Sequence, residues 1–210
     1  MMQTYKDLMV EHGHSFFQRG YTCGGGGNLS LKLPDGNILA TPTGASLGRL
    51  IASELSVLTM EGELLEGKKA SKEINFHLDI YRSNPQVNAV VHLHSTWLTA
   101  LSAIEHRNHE NVIEAFTPYY VMRIGQLPLL PYFKPGSPEI GPAISAYTAK
   151  NYTAVLLANH GPVVTGTDFV NAVDNAEELE ETAKLTFLLK DHPVRYLNES
   201  QQDALKSMKS

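Results

Sequence analysis

Two spacings of apolar positions alternate along the chain. Over residues 5–19, Leu8, Met9, His12 and Phe16 recur at helical intervals, which predicts an amphipathic helix ended at Gly20. Residues 29–33 switch to strict alternation, Leu29-Ser30-Leu31-Lys32-Leu33, and predict a half-buried strand. The turn residues Pro34-Asp35-Gly36-Asn37 return the chain into a strand over residues 38–41, and residues 55–60 predict another, reversed at Glu61-Gly62. Helical spacing resumes with Ile74, His77, Leu78 and Tyr81, after Ser71 as N-cap. An apolar lead-in over residues 87–91, rich in β-branched side chains, predicts a strand. Residues 96–103 and 140–150 predict helices, and residues 155–158 and 163–165 two further strands. Asp168 caps a long helix with an apolar stripe through Ala172, Val173, Ala176, Leu179 and Ala183. Glu177, Glu178, Glu180 and Glu181 form its wet face, and from Asp191 the chain is polar and reads as a mobile tail.

The candidate chemistry sits where the apolar runs end. His92 and His94 follow the strand over residues 87–91, two residues apart, so a continuing strand would turn both to one face. His160 ends the apolar run 154–158, and Glu73 stands at the start of the helix after Ser71 and Lys72. Three histidines and a carboxylate suit zinc with an exchangeable position. A His-x-His pair alone is weak evidence, and its company strengthens it. Gly24-Gly25-Gly26-Gly27-Asn28 and Thr41-Pro42-Thr43-Gly44 flank one hairpin; backbone amides and hydroxyls in two such loops could wrap a phosphate. An anion near Ser71 would also meet a helix start and the Lys72 ammonium. Five other histidines lack such company: His12 and His14 read as structural, His77 as packing against the sheet, and His106 and His109 as solvated.

Composition narrows the classes. The chain has 210 residues, 42% of them hydrophobic, enough for one domain over residues 1–210 with a sizeable core. A formal net charge of −5 favours neither nucleic acid nor an acidic membrane as partner. Cys23 is the only cysteine, so no intrachain disulfide is expected, in keeping with a cytoplasmic protein. The first residues lack a signal peptide's apolar core, and no apolar run reaches the length of a membrane span.

With these motifs the chain resembles the class II aldolase/adducin family, the zinc enzymes related to L-fuculose-phosphate aldolase and L-ribulose-phosphate 4-epimerase. The likeness covers nearly the whole chain and rests on five motifs in order: Gly27-Asn28-Leu29-Ser30, Thr41-Pro42-Thr43-Gly44, Ser71-Lys72-Glu73, His92-Leu93-His94-Ser95 and Asn159-His160-Gly161. It implies a three-layer α/β/α sandwich around a largely antiparallel sheet, and a homotetramer with sites at subunit interfaces. It further implies Zn2+ on His92, His94 and His160, with Glu73 as fourth ligand or as acid/base. Phosphate would lie on Gly27, Asn28, Thr43, Gly44 and Ser71. One departure matters: the aldolases usually carry a second serine where this chain has Lys72. Lys72, together with the Thr117-Pro118-Tyr119-Tyr120-Val121-Met122-Arg123 and Glu177-Glu178-Leu179-Glu180-Glu181-Thr182 segments, is most similar to the branch that decarboxylates 3-oxo-tetronate 4-phosphate. Tyr119 aligns with a tyrosine that the aldolases supply across the interface.

The implied activity is decarboxylation of a small phosphorylated sugar acid, with aldol cleavage or 4-epimerisation of a sugar phosphate as the alternative. Glu73 or Tyr119 would protonate carbon, and Lys72 or Arg123 would hold the substrate's second anion. Adducin-type members keep the fold without the metal; the intact Glu73, His92, His94 and His160 speak against that class here.

Overall fold

The computed structural model describes residues 2–209. A first helix, α1 (Met2–Gln18), leads into a four-strand meander of β1 (Asn28–Lys32), β2 (Ile38–Ala40), β3 (Ser56–Leu58) and β4 (Leu64–Glu66). Helix α2 (Ile74–Ser83) then precedes β5 (Ala89–His92), α3 (Thr96–Ser102) and α4 (Pro118–Arg123). The chain continues through β6 (Leu129–Leu130), α5 (Ile140–Thr148), β7 (Ala154–Leu157), β8 (Gly161–Gly166), α6 (Phe169–Leu189) and α7 (Glu199–Lys206). The strands make one sheet in the order β4-β3-β2-β1-β5-β8-β7-β6. Every pairing is antiparallel except β6 with β7.

Alternation along the strands divides the core in two. Leu29, Leu31 and Val91 face one cluster, with Phe16, Leu98 and Leu179 of α1, α3 and α6. Val90, Val155 and Leu157 face the other, with Phe76, Ile80 and Ile144 of α2 and α5. The sheet is therefore covered on both faces, as the three-layer expectation required. It follows that β1 is not half-buried: Ser30, the polar member of its alternation, has no exposed surface.

Four further differences have local causes. The strand carrying His92 ends there, and His94 lies beyond it. Edge strands β4 and β6 are only three and two residues long, too short to leave a period in the sequence. The residues after Asp191 include a helix, α7, started by a capping box between Asn198 and Gln201. Leu197 and Leu205 dock this segment against the core, so the tail is anchored by two apolar contacts that its polar average hides. Finally, the N-cap position of α2 is Glu73, not Ser71; the Ser71 hydroxyl instead accepts from the Glu73 N–H at 3.2 Å.

Register explains where chemistry collects. Asn28 pairs with His92, and His92 with Val163. Asn28, His92 and the turn before β8, which carries His160, therefore stand at one end of the three central strands.

Candidate active site

At that end four side chains converge. His94 Nε2 lies 3.2 Å from His92 Nε2 and 3.0 Å from His160 Nε2. Glu73 completes the group, Oε2 3.4 Å from His92 Nε2 and Oε1 3.6 Å from His160 Nε2. All four ligand atoms lie within 4.8 Å of one another. Ligands held at ~2.0–2.1 Å by a tetrahedral ion stand about 3.3 Å apart, and these edges match that spacing. Imidazole nitrogens facing one another at this distance leave room for a shared cation between their lone pairs. Burial, then the neighbouring histidines, push His92 well below its ordinary pKa, and burial with His160 lowers His94. His92 Nδ1 lies 2.8 Å from the Pro162 carbonyl oxygen; it must donate, which leaves Nε2 free to ligate. The donor set fits a divalent metal ion.

The backbone around the histidines is tightly drawn. A Cβ on Gly26 would lie 2.9 Å from His94 Nδ1, and one on Gly27, at φ +79°, would lie 2.8 Å from the His92 carbonyl oxygen. The glycine run is thus a close-packed wall of the site. Asn159, at φ 55°, makes the turn that presents His160, and asparagine tolerates this region well. Helix α3 clamps the turn: Asn159 N–H donates to the Ser102 carbonyl at 3.0 Å, and the Thr99 hydroxyl to the His160 carbonyl at 3.3 Å.

A cavity of about 670 Å3 opens over the cluster, lined by Gly27, Asn28, Thr43, Gly44, Ser71, Lys72, Glu73, His94 and His160 among others. Both sequence-predicted loops and the start of α2 thus meet in one place. Lys72 is the only cation among the described lining residues. Asn28 is placed in the cavity wall, but its amide is engaged: Nδ2 donates to Glu73 Oε2 at 2.7 Å, and Oδ1 lies 2.6 Å from His77 Nε2.

Two expected residues lie elsewhere in the chain. Arg123 pairs with Asp174 at 3.2 Å and lines a cavity with Thr165 and Gly166, at the far end of the central strands. The acidic face of α6 draws it there, so it does not reach the cavity of its own chain. Tyr119 is 62% exposed on α4 and does not line the cavity either.

Sequence reasoning missed two sets of polar residues. Glu180 was assigned to the wet face of α6 but is only 3% exposed. Its carboxylate accepts from the Ser95 hydroxyl at 2.6 Å and from the backbone N–H groups of Trp97 and Leu98 at 2.9 and 3.0 Å. It thereby caps the helix that follows His94. The signal was its spacing from Ala176 and Ala183, which share its helical face. His77, Ser30 and Tyr81 form the second set: Ser30 Oγ lies 2.7 Å from both His77 Nδ1 and the Tyr81 hydroxyl. Here too spacing held the signal, since Glu73, His77 and Tyr81 recur at four-residue intervals and Asn28 and Ser30 share a strand face. His106, expected to be solvated, is part-buried, with Nε2 2.7 Å from the Leu101 carbonyl.

Residues 7–187 match the class II aldolase and adducin N-terminal domain. The 3-oxo-tetronate 4-phosphate decarboxylase of Haemophilus influenzae is 57% identical over 198 residues, covering 93% of each chain. An L-fuculose phosphate aldolase of Methanococcus maripaludis is 37% identical, covering 84% of this chain and 92% of that protein. The crystal structure of YgbL from Escherichia coli superposes with a TM-score of 0.95 at 52% identity, over 98% of this chain and 99% of that one.

Proposed function

Because the chain belongs to the class II aldolase and adducin family, we propose that it decarboxylates 3-oxo-tetronate 4-phosphate to dihydroxyacetone phosphate. The observation that carries this reading is the convergence of Glu73, His92, His94 and His160 beneath a cavity that also holds Lys72. His92, His94 and His160 would hold zinc, with Glu73 as fourth ligand or as acid/base, and the ion would supply Lewis acidity for the negative charge that develops on the substrate.

The rest of the chemistry falls to the protein. The substrate carries two anions, a phosphate and a carboxylate. Gly27, Thr43, Gly44 and Ser71 line the part of the cavity suited to the phosphate. Asn28 remains beside them as part of the wall rather than as a side-chain donor. Breaking the C1–C2 bond releases neutral carbon dioxide and leaves its electron pair on C2, delocalised onto the C3 oxygen. One proton must then reach C2. Tyr119 of a neighbouring chain would deliver it, or Glu73 after taking up a solvent proton on the oxygen that Asn28 leaves free; general-acid help of this kind contributes about two to four powers of ten in rate. The departing carboxylate loses its charge, so a cation that gripped it tightly would stabilise the ground state more than the transition state. Lys72 therefore orients the substrate or shares the phosphate. Lys72→Ser is expected to slow decarboxylation about tenfold, or ~1.4 kcal/mol, at unchanged zinc content.

The same reading makes the protein a homotetramer, with Tyr119 of one subunit entering a neighbour's cavity. Its 62% exposure in the single chain supports that role, and light scattering at four times 23.1 kDa would bear it out. The deciding experiment incubates the zinc form with 3-oxo-tetronate 4-phosphate and follows carbon dioxide and dihydroxyacetone phosphate. Aldol cleavage of L-fuculose 1-phosphate without carbon dioxide release from the 3-oxo acid would reject the decarboxylase.

A further inference from the structure

Behind Glu73 runs a buried line of polar groups that the proposed chemistry does not use: Tyr81, Ser30, His77 and Asn28. All four side chains are buried, Ser30 and His77 almost completely, and the links measure 2.7, 2.7 and 2.6 Å before the last, 2.7 Å, to Glu73. Residues from two elements meet here. Asn28 and Ser30 project from one face of β1, and His77 and Tyr81 from successive turns of α2.

The donors can be assigned by elimination from the Glu73 end. An ionised carboxylate only accepts, so the Asn28 NH2 group must face it. The Asn28 carbonyl oxygen then faces His77 Nε2, which must carry a proton. A neutral imidazole so protonated has a bare Nδ1, which must accept from the Ser30 hydroxyl. Ser30 Oγ in turn accepts from Tyr81. Every bond points the same way, from the core to the carboxylate. Reversing any one would set an amide oxygen against Glu73 or leave a buried group without a partner, at about 1–3 kcal/mol. Neutrality of the imidazole accords with its surroundings: burial pushes His77 down to about 3.

We propose that Tyr81, Ser30 and His77 are positioning residues that fix the Asn28 amide with its NH2 group toward Glu73, and so hold that carboxylate at the histidine cluster. This rests on the reading that Glu73 and the three histidines bind a metal ion. The device assigns Asn28 to the carboxylate rather than to the phosphate. It also gives His77 a required tautomer, Nε2–H, with no contact to substrate.

The test uses the full-length protein, 15N-labelled at histidine, with the His77 signals identified by their loss in His77→Gln. Long-range 1H–15N correlation at neutral pH is expected to show His77 as the Nε2–H tautomer, with and without metal. Ser30→Ala removes the donor to Nδ1; it should mix the tautomers and weaken Co2+ and Zn2+ binding by about tenfold or more, as is typical when a group that orients a ligand is lost. The visible spectrum of the Co2+ form should shift as Glu73 loosens, and Ser30→Thr, which restores the hydroxyl, should recover affinity and spectrum. Tyr81→Phe, which leaves the cavity untouched, should give the same changes to a smaller degree and serves if Ser30→Ala does not fold. An Nδ1–H tautomer in the wild type, or wild-type affinity and cobalt spectrum in the folded variants, overturns the proposal. A wild type that takes up no Co2+ or Zn2+ while His77 still shows Nε2–H overturns the metal reading and leaves the hydrogen-bond direction standing.

Discussion

Glu73 and Glu180 both border the histidine-bearing segments, and they differ in how many donors they meet. Glu180 is buried and accepts three hydrogen bonds, from Ser95, Trp97 and Leu98. Glu73 is 13% exposed and has one side-chain donor, Asn28, while its remaining acceptor capacity faces three imidazoles and the cavity. A carboxylate has about four lone-pair sites, so the first is nearly satisfied by the protein and the second is not. Satisfaction makes Glu180 a strut: it ties α6 to the start of α3, and α3 clamps the His160 turn. The deficit at Glu73 makes it available to an ion or a substrate. The histidines divide in the same way. His77 is bonded at both ring nitrogens, whereas His92 is bonded to backbone at one and turned to the cluster with the other.

Removing an open group should therefore abolish function with little effect on the fold. His94→Ala is expected to eliminate zinc binding and to reduce activity beyond the ~10–100-fold typical of residues that only orient ligands. Elemental analysis after gel filtration decides it, and full zinc occupancy in the variant would remove His94 from the ligand set. Glu73→Gln should follow, with a rate loss of about two to four powers of ten and a melting temperature close to the parent's.

Removing a satisfied group should do the reverse. Glu180→Gln withdraws one acceptor and leaves a buried donor unpaired, at about 1–3 kcal/mol, which lowers Tm by roughly 2–4 °C for each kcal/mol in a chain of this size. Turnover at low temperature should change far less than in Glu73→Gln. Calorimetry and kinetics on the pair test the comparison directly; a Glu180 variant with parental Tm and lost activity would invert it.

The comparison also marks what the sequence discloses. The histidine motifs, both loops and the Ser71-Lys72-Glu73 segment were legible because each combines a residue type with a chain position that few other roles require. The β-branched run before His92 and the Asp168 cap were legible for the same reason. Glu180 was not, because a glutamate in an acidic helix looks solvated until α3 is seen packed over it, though its place beside Ala176 and Ala183 was a clue. Ser30 was read as the wet side of an alternating strand, since only α2 packing on that face reveals the second covered surface. Arg123 was assigned to the site by its charge and by its place in the segment from Thr117, neither of which reveals that Asp174, fifty-one residues later, pairs with it at the far end of the sheet of its own chain.

The smallest expected effect comes from His77 and turns on its satisfied state. In an unfolded chain this histidine titrates near 6.5, whereas in the fold burial lowers it to about 3. Between those values the unfolded chain binds a proton that the folded chain refuses. Stability is therefore complete above the unfolded pKa and falls as pH drops below it, by about 1.4 kcal/mol per pH unit for one such proton, levelling off near the folded pKa. His92 and His94, also lowered, add to this slope in metal-free protein, so the wild-type slope alone does not isolate His77. Urea unfolding of metal-free wild type and His77→Gln at pH 7, 6 and 5 does. The variant should be less stable at pH 7, where the imidazole's two hydrogen bonds are replaced imperfectly, and its stability should fall with acid by one proton's slope less. Parallel pH dependences would mean that His77 takes up its proton in the folded state. Nδ1 would then donate to Ser30 instead of accepting from it, and His77 would no longer belong with Glu180 among the groups whose partners are all supplied by the protein.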